Sequence, residues 1–80
     1  MYSVVLSPGA QRFFEEADAP LQRRLDRCFV NLAREPRRHG NIKQLKGSLQ
    51  GYLRYRVGDW RIIDRIDDTS RTIFITDIAH

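Results

Sequence analysis

Cysteine is almost absent from this 80-residue sequence, which contains only Cys28. A single cysteine forms no intrachain disulfide, so nothing in the sequence indicates an oxidising compartment. The sequence also lacks any apolar run near the roughly 18 residues that a membrane span requires, and its N-terminus lacks the charged start and apolar stretch of a signal peptide. We therefore expect a soluble, cytoplasmic protein without a membrane partner.

The motifs of several common active sites are missing as well. The histidines and the cysteine have no zinc-site spacing, no Gly-rich phosphate loop follows a strand, and no serine lies on a nucleophile elbow. Cys28 falls on the apolar stripe of a predicted helix, so we interpret it as a core residue. The remaining metal-ligand candidates are spread over two predicted strands among arginines, and we expect neither a metal nor a cofactor. These candidates are Asp64, Asp67, Asp68 and Asp77.

Lysine is scarce, whereas arginine is abundant. Lys and Arg together number 14 against 10 for Asp and Glu, which gives a net charge of +4, and Lys43 and Lys46 are the only lysines. A basic surface favours polyanions, and the planar guanidinium group suits bidentate contact with phosphate. Charge alone does not distinguish among RNA, DNA, an acidic protein and a membrane surface. The excess of arginine favours phosphate or a carboxylate-rich partner.

The hydrophobic pattern predicts one domain over residues 1–80, because a chain of this length supports a single small core. Consecutive strands with short connections pair antiparallel. We therefore predict an α+β fold, β-α-α-β-β-β, in which a helical hairpin packs on one face of a small, mainly antiparallel sheet. We interpret the irregular segment Glu35–Gly51 as a functional loop. The predicted elements are a strand at Tyr2–Ser7, a helix at Pro8–Ala17, a second helix that follows the break at Asp18–Pro20 and is stopped by Pro36, and strands at Tyr52–Val57, Trp60–Asp67 and Thr72–Ile78.

Three arginines are predicted to share one face of the sheet. Gly58 and Asp59 separate two strands, and glycine at the first central position is typical of a two-residue type II′ turn. That turn places Arg56 opposite Arg61 and puts Arg54 on the same face. Like charges that face each other are destabilising, so the three convergent arginines indicate an anion site. The opposite, apolar face is predicted to carry Leu53, Tyr55, Val57, Trp60, Ile62 and Ile66.

A simpler interpretation of the arginine face stays open at this point. The outer face of an antiparallel sheet is commonly solvated, and arginines there can serve only to keep it wet. Asp67 and Asp77 would then be their partners. This interpretation predicts ion pairs on the sheet surface and no anion site.

The loop between the helices and the last three strands carries further candidates. Lys43 and Lys46 lie near Gly47, where they can bind the backbone of a nucleic acid strand or simply be solvated. Arg37 and Arg38 belong to the same basic segment. We treat these four basic residues as candidate RNA-binding residues.

His80 is a candidate acid or base, because imidazole titrates near neutral pH. It follows the last predicted strand, so its position depends on the register of the last hairpin. The loop around Asp68–Ser70 can be counted as two, three or four residues, and a slip of one residue reverses every side chain. The face on which His80 lies is therefore left open.

Several segments together resemble the RelE/ParE toxin superfamily. The central block is similar to the family's recurring Y-R-x-R-V-G-D-Y-R-V-I pattern, with Trp60 in place of the usual tyrosine. The last strand resembles one that ends in Ile-Gly-His, with Ala79 in place of the glycine. The resemblance extends to the helical hairpin and covers nearly the whole chain. It rests on Leu45–Gly47, Gly51–Ile63, Ile66–Asp68 and Ile75–His80.

The resemblance implies a toxin of a type II toxin–antitoxin system, encoded beside an antitoxin that wraps around it and blocks its active surface. RelE-like members enter the ribosomal A site and cleave messenger RNA without a metal, through attack of the 2′-hydroxyl on the adjacent phosphate. By position, the resemblance implies that Arg61 holds the scissile phosphate and that Arg54 and Arg56 neutralise charge and bind RNA. It also makes His80 the candidate proton donor or acceptor.

Two other functions stay open. ParE-like members share the fold but poison DNA gyrase, and the fold alone does not separate the two activities. The concentration of arginines and loop lysines favours RNA. RelE-like members commonly continue past the position of His80 with an arginine and a catalytic tyrosine, whereas this sequence ends there. A weakened member that retains only antitoxin binding is therefore the third hypothesis.

Overall fold

The protein forms one sheet of five strands with two helices on one of its faces. The computed structural model describes all 80 residues, and a turn of 3-10 helix at Gly47–Leu49 is the only other regular element. The predicted α+β class is confirmed. The strands and helices are β1 (Ser3–Leu6), α1 (Pro8–Glu16), α2 (Ala19–Arg34), β2 (Ile42–Gln44), β3 (Tyr52–Val57), β4 (Trp60–Asp67) and β5 (Thr72–Ala79).

The strands lie in the order β1-β5-β4-β3-β2. β1 pairs parallel with β5, and every other pair is antiparallel, so the prediction of a mainly antiparallel sheet is confirmed. The helical hairpin carries the chain from β1 to β2 at the opposite edge of the sheet. From β2, the strands β3, β4 and β5 follow one another back across the sheet, so the last strand, β5, lies beside the first, β1.

The segment Glu35–Gly51, predicted to be an irregular loop, contains a strand. β2 pairs antiparallel with β3, with Ile42 opposite Tyr55 and Gln44 opposite Leu53. The expectation of a wholly irregular loop is therefore wrong, and β2 is a fourth strand after the helices. Three residues are too few for strand alternation to be recognised in a sequence, so only the pairing with β3 reveals β2.

Both helices begin at side chains that accept hydrogen bonds from their first turns. The Ser7 hydroxyl accepts from the Ala10 N–H at 3.1 Å, and the Asp18 carboxylate accepts from the Leu21 N–H at 3.0 Å. These two caps explain why the chain forms a hairpin of two helices rather than one long helix. Neither helix combines the length and the apolar character needed to cross a membrane.

The core lies between the helices and the inner face of the sheet. α2 contributes Leu25, Cys28 and Leu32, which recur at helical spacing and are buried. Burial and the negative charge of Asp64 raise the pKa of the Cys28 thiol to about 12, so Cys28 is the predicted core residue and not a nucleophile. The other buried apolar residues are Ala10, Leu53, Tyr55, Ile62, Ile73, Ile75 and Ile78.

One carboxylate is buried in this core. Asp64 lies on the inner face of β4, between Leu53 on β3 and Ile75 on β5. It is 0% exposed, and neither of its carboxylate oxygens has a hydrogen-bond partner. The loss of hydration raises the pKa of Asp64 to about 7, and the positive charge of Arg37 opposes this change only in part. Asp64 is thus a residue of the core, a place that its sequence pattern, typical only of a possible metal ligand, did not indicate.

We expect the protein to lose stability as the pH rises towards neutrality, because of Asp64. The pKa of this group rises from 3.8 to about 7 on folding, so between these values the folded state keeps a proton that the unfolded state releases. At about 1.36 kcal/mol per pKa unit, the buried charge costs roughly 4 kcal/mol above pH ~7. Asp64→Asn should therefore raise the melting temperature at about pH 8 and change it little at about pH 4.

Thermal unfolding followed by circular dichroism at these two pH values would measure the effect. Asp26→Asn is the matched control, because Asp26 is an exposed carboxylate on α2 and should change neither value. The same pH dependence in wild type and Asp64→Asn would show that Asp64 does not carry the effect.

Candidate functional site

The β3–β4 hairpin sets the geometry of the site. Gly58 has a φ of 60°, while Asp59 does not have a positive φ, which is the pattern of the predicted type II′ turn. Arg56 lies opposite Arg61 and Arg54 lies two residues before Arg56 on the same side of the strand, so the predicted register is confirmed. We call this side, which faces away from the helices, the outer face of the sheet.

Arg54, Arg56 and Arg61 line one recess on the outer face together with Asp59 and His80. We call it the arginine recess. It has a volume of about 480 Å³, and no hydrophobic residue lines it. Guanidinium groups around a single opening can donate hydrogen bonds to the same anion, so the recess suits a phosphate group.

No arginine of the recess forms an ion pair. The only salt bridge in the protein joins Arg37 to Asp68, away from the recess. Asp67 and Asp77, the partners that the simpler interpretation of this face required, do not pair with the arginines. The carboxylate of Asp67 instead accepts hydrogen bonds from the backbone of the following loop. The outer face therefore carries arginines that have no ion-pair partner within the protein.

The hydrogen bonding of the recess arginines is also incomplete. Nε of Arg54 is buried and has no hydrogen-bond partner. Nε of Arg56 donates only a long hydrogen bond of 3.4 Å to the Gly58 carbonyl. Arg56 and Arg61 face each other directly, and like charges in this position are unfavourable. An anion between Arg56 and Arg61 would relieve the like-charge contact, which favours an anion site over simple solvation.

A bulge in β5 decides how this strand ends. Thr76 has no partner on β4, and its hydroxyl donates to the Ile63 carbonyl at 3.2 Å. The β4–β5 loop has four residues, Asp68–Arg71, which answers the question that the sequence left open. The bulge reverses the alternation of β5 after Thr76, so that Ile78 is buried in the core and Ala79 is exposed.

His80 lies at the rim of the arginine recess. It follows Ala79, which pairs with Arg61, and its ring packs edge-on against Trp60 with the centroids 4.7 Å apart. Trp60 in turn makes an edge contact with Phe13 of α1 at 4.9 Å. The partly buried aromatic pair thus positions an exposed imidazole beside the arginines. The structure brings together all four residues predicted to be catalytic.

The four basic loop residues, in contrast, lie apart. Lys43 lies directly opposite Arg54, so it extends the row of cations onto β2. Lys46 and Arg37 line a different cleft, at the start of β3. Arg38 is exposed and makes no hydrogen bond or ion pair. Only Lys43 therefore adjoins the arginine recess.

Arg37 is engaged by a carboxylate at the β4–β5 loop. Its guanidinium donates two hydrogen bonds to Asp68, at 3.0 and 3.2 Å, and the Tyr2 hydroxyl donates another at 2.7 Å. These hydrogen bonds lower the pKa of Asp68 below its usual range, and the bonds from Arg37 have the largest effect. The pair lies at the opposite end of β4 from Arg61, so the structure does not bring Arg37 to the recess.

Asp59 is the recess residue that the sequence analysis missed. It was interpreted only as a turn residue, although its position between Arg56 and Arg61 was a signal that its side chain lies beside them. Nowhere in the protein do three His, Cys, Asp or Glu side chains form a group that could hold a metal ion. Asp59 and His80 are the only residues lining the recess that are not arginines, and carboxylate and imidazole are both groups that can act as general acids or bases.

Comparison with known protein families gives a match over residues 4–80. The matching family is described as the ParE toxin of type II toxin–antitoxin system, parDE. The match includes every strand from β3 to β5 and all residues of the arginine recess. A search of curated proteins gives no significant match.

Several solved structures have the same fold. A chain of the RelBE2 toxin–antitoxin complex from Mycobacterium tuberculosis is 29% identical, with a TM-score of 0.87 over 99% of this chain and 96% of that chain. The YoeB/ParE toxin from Agrobacterium tumefaciens is 20% identical, with a TM-score of 0.86 and coverages of 96% and 95%. A chain of the archaeal RelE–RelB complex from Pyrococcus horikoshii OT3 is 22% identical, with a TM-score of 0.84 and coverages of 98% and 92%.

We expect inorganic phosphate to stabilise the protein through the arginine recess. At about ten times its dissociation constant, a bound anion contributes about 1.4 kcal/mol, which raises the melting temperature by roughly 5–10 °C in a domain of this size. Thermal unfolding in phosphate, compared with chloride at the same ionic strength, measures this rise. Arg61→Ala should abolish it without lowering the melting temperature in chloride, because the substitution removes a like-charge contact.

Arg23→Ala is the matched control, since Arg23 is an exposed arginine on α2 outside the recess. It should keep the full response to phosphate. If phosphate raises the melting temperature equally in wild type and Arg61→Ala, the anion binds elsewhere. If Arg61→Ala and Arg23→Ala lose the rise equally, the effect comes from the net charge of the protein and not from the recess.

Proposed function

This chain belongs to the ParE toxin family of type II toxin–antitoxin systems, within the RelE/ParE superfamily, and we propose that it is a metal-independent endoribonuclease that cuts messenger RNA in the ribosomal A site and so inhibits translation. The observation that carries the proposal is the arginine recess, whose three arginines have no ion-pair partner. The phosphates of the RNA backbone are anions of the kind that convergent guanidinium groups bind. The resemblance to RelE-like members supports the ribosome as the place of cleavage.

The proposed reaction is an internal transesterification. The 2′-oxygen of one nucleotide attacks the adjacent phosphorus, and the bond from phosphorus to the 5′-oxygen of the next nucleotide breaks. One proton leaves the 2′-hydroxyl and one reaches the departing 5′-oxygen, so the products are a 2′,3′-cyclic phosphate and a 5′-hydroxyl. The chemistry depends on positioning and on stabilisation of negative charge rather than on a nucleophilic side chain.

The proposed roles follow from the positions in the recess. Arg61 holds the scissile phosphate, and Arg54 and Arg56 neutralise the charge that builds up on its oxygens. His80, at the rim, transfers a proton to the leaving oxygen or takes it from the 2′-hydroxyl. Lys43, which lies opposite Arg54, binds the neighbouring backbone. A role in RNA binding for Lys46, Arg37 and Arg38, which lie away from the recess, stays a prediction.

We also propose an antitoxin partner that is encoded alongside this protein. The relatives from M. tuberculosis and P. horikoshii are chains of toxin–antitoxin complexes. An acidic segment of an antitoxin would relieve the unpaired charges of the recess in the same way as RNA. Binding of the antitoxin and cleavage of RNA should therefore exclude each other.

Inhibition of DNA gyrase is the second candidate function. It is favoured by the description of the matching family, which names the ParE toxin. The concentrated cations of the recess favour RNA instead. Fold similarity does not distinguish the two, because the relatives with this fold include RelE and YoeB/ParE toxins.

We expect the protein to cut messenger RNA in a reconstituted translation reaction, with 5′ ends in phase with codons. Arg61→Ala should reduce cleavage by roughly 100- to 1000-fold, the usual cost of removing one group that stabilises transition-state charge. Primer extension measures the cuts. Arg65→Ala is the matched control, because Arg65 lies on the same strand but packs over Phe74, 4.3 Å from its ring centroid, outside the recess.

Intact messenger combined with accumulation of cleaved DNA by purified gyrase would replace the proposal with the gyrase function. Activity in neither assay, with tight antitoxin binding retained, would favour a module that only binds antitoxin. Equal losses in Arg61→Ala and Arg65→Ala would remove the recess from the mechanism.

We expect His80→Ala to reduce cleavage by roughly 100- to 10,000-fold if His80 protonates the leaving oxygen. A messenger that carries a 5′-thio leaving group at the cut site needs no such proton, because a thiolate is a far weaker base than an alkoxide. The defect of His80→Ala should therefore shrink on this substrate, while the defect of Arg61→Ala should persist. An undiminished defect of His80→Ala on the thio substrate would exclude His80 as the proton donor.

A further inference from the structure

A second cleft lies on the helix side of the β3–β4 turn and shares only Arg56 with the arginine recess. It has a volume of about 350 Å³ and lies between α2, the segment before β2 and the end of β3. It opens because β2 begins at Ile42, opposite Tyr55, and leaves the end of β3 without a strand neighbour on this edge. We call it the α2 groove.

Two arginines of α2 continue the cationic surface of the recess into this groove. Arg24 and Arg27 are three residues apart on the helix, so they lie on the same face. Both are exposed, and neither forms an ion pair. Arg24 reaches over the turn, since a Cβ placed on Gly58 would lie 3.7 Å from its Nη1. Together with Arg56, these groups connect the recess to α2 across the hairpin turn.

The groove also contains a fixed aromatic platform. The rings of His39 and Tyr55 are stacked, with their centroids 4.9 Å apart and an interplanar angle of 28°. Nδ1 of His39 accepts a hydrogen bond from the Asn41 N–H at 3.1 Å, which holds the imidazole in this orientation. Tyr55 is buried and His39 is exposed, so the face of the imidazole that points away from Tyr55 is available to a ligand.

Two free amide groups complete the lining. Asn31 and Asn41 line the groove, and neither side chain is engaged in a hydrogen bond within the protein. An amide presents a donor and an acceptor side by side, as the edge of a nucleobase does. Cations bind the backbone of a single nucleic acid strand, an aromatic face stacks on its bases, and free amides can hydrogen-bond to the base edges.

We infer that the α2 groove binds a segment of single-stranded RNA that continues from the arginine recess across the turn at Gly58, with phosphates on Arg24 and Arg27 and a base stacked on His39. The inference rests on the proposed function, because it extends the same RNA strand beyond the cut. A single strand is the form that offers base faces to an aromatic ring. The groove would thus give binding energy remote from the reacting phosphate.

An amphipathic protein segment fits the groove less well. Such a partner requires an exposed apolar surface for its own apolar face. The apolar groups of the groove are Cys28 and Tyr55, which are buried, and Val57, which is half-buried. The exposed lining is polar or cationic, as expected for a strand that is read through its backbone and bases.

Fluorescence anisotropy with labelled oligouridylate and the full chain tests the inference without any need for cleavage. Wild type should bind an oligomer of about 12 nucleotides more tightly than one of about 2, because only the longer one occupies both the recess and the groove. Arg24→Glu combined with Arg27→Glu should weaken binding of the longer oligomer by at least about tenfold. It should also lower the slope of log affinity against log salt by about 1.4, the value for two lost phosphate contacts of a single strand.

Arg23→Glu combined with Arg34→Glu is the matched control. These arginines are also exposed on α2 but do not line the groove, and the change in net charge is the same. The control should keep the preference for the longer oligomer. Equal weakening in both double variants would overturn the inference, because it would show a general electrostatic attraction between RNA and a basic protein. Unchanged binding in the Arg24/Arg27 variant would also overturn it. Circular dichroism of this variant and of the double variant Arg24→Ala, Arg27→Ala would reveal a folding defect caused by the glutamates.

The aromatic platform is tested separately. His39→Ala should weaken binding of the longer oligomer by about tenfold, the scale of one lost stacking contact, whereas His39→Phe should retain most of it. An equal loss in both variants would exclude stacking as the role of His39. Selective binding of an acidic amphipathic peptide in the groove, with no effect of these variants on RNA, would assign the groove to a protein partner and overturn the inference.

The same titrations separate this inference from the proposed function. Arg61→Ala should weaken the short and the long oligomer by the same factor, because it alters only the recess. If ribosomal cleavage is absent while the Arg24/Arg27 variant still loses the length preference, the nuclease proposal fails and the groove stands. If cleavage depends on Arg61 but the length preference is unaffected by Arg24 and Arg27, the groove fails and the nuclease stands.

Discussion

The pairing of β3 with β4 across the Gly58–Asp59 turn is the constraint on which the rest of the structure depends. Because strand side chains alternate, this one register sends Tyr55 and Ile62 into the core and leaves the arginines outside. A shift of the β3–β4 register by one residue would bury the guanidinium groups and expose the apolar residues that pack against the helices. The burial of the inner face against α2 therefore also holds the arginine recess in shape.

The protein tolerates unfavourable electrostatics in two places. In the recess, Arg56 and Arg61 face each other and neither forms an ion pair, and in the core Asp64 is fully buried without a hydrogen-bond partner. A small domain has little stability to spare, and a ligand that binds only the folded state adds to that stability. An anionic ligand in the recess stabilises the folded state, in which the cations are already assembled, and this links stability to binding.

The outer site is connected to the helices through β5. Ser7 caps α1 and its hydroxyl also donates to the carbonyl of Thr76, the bulged residue, at 3.2 Å. The bulge determines the face of the sheet on which the last side chains of β5 lie. Phe13 of α1 packs against Trp60, and Trp60 packs against the ring of His80. The position of the imidazole thus depends on the first helix, although that helix lies on the opposite face of the sheet from the arginines.

The sequence by itself determined the α+β class, the helical hairpin and the convergence of Arg54, Arg56 and Arg61, because period-two alternation and a glycine-led turn are local properties. The tertiary structure decided the rest. β2 is too short to show a hydrophobic pattern, and Asp64 is an acidic residue that interrupts an otherwise apolar face. The position of His80 depends on a β-bulge, and the place of a bulge in a strand is not visible in the sequence. The α2 groove, likewise, joins residues from α2 and β3 that are distant in the chain, and only the packing of the helix beside the end of the sheet brings them together.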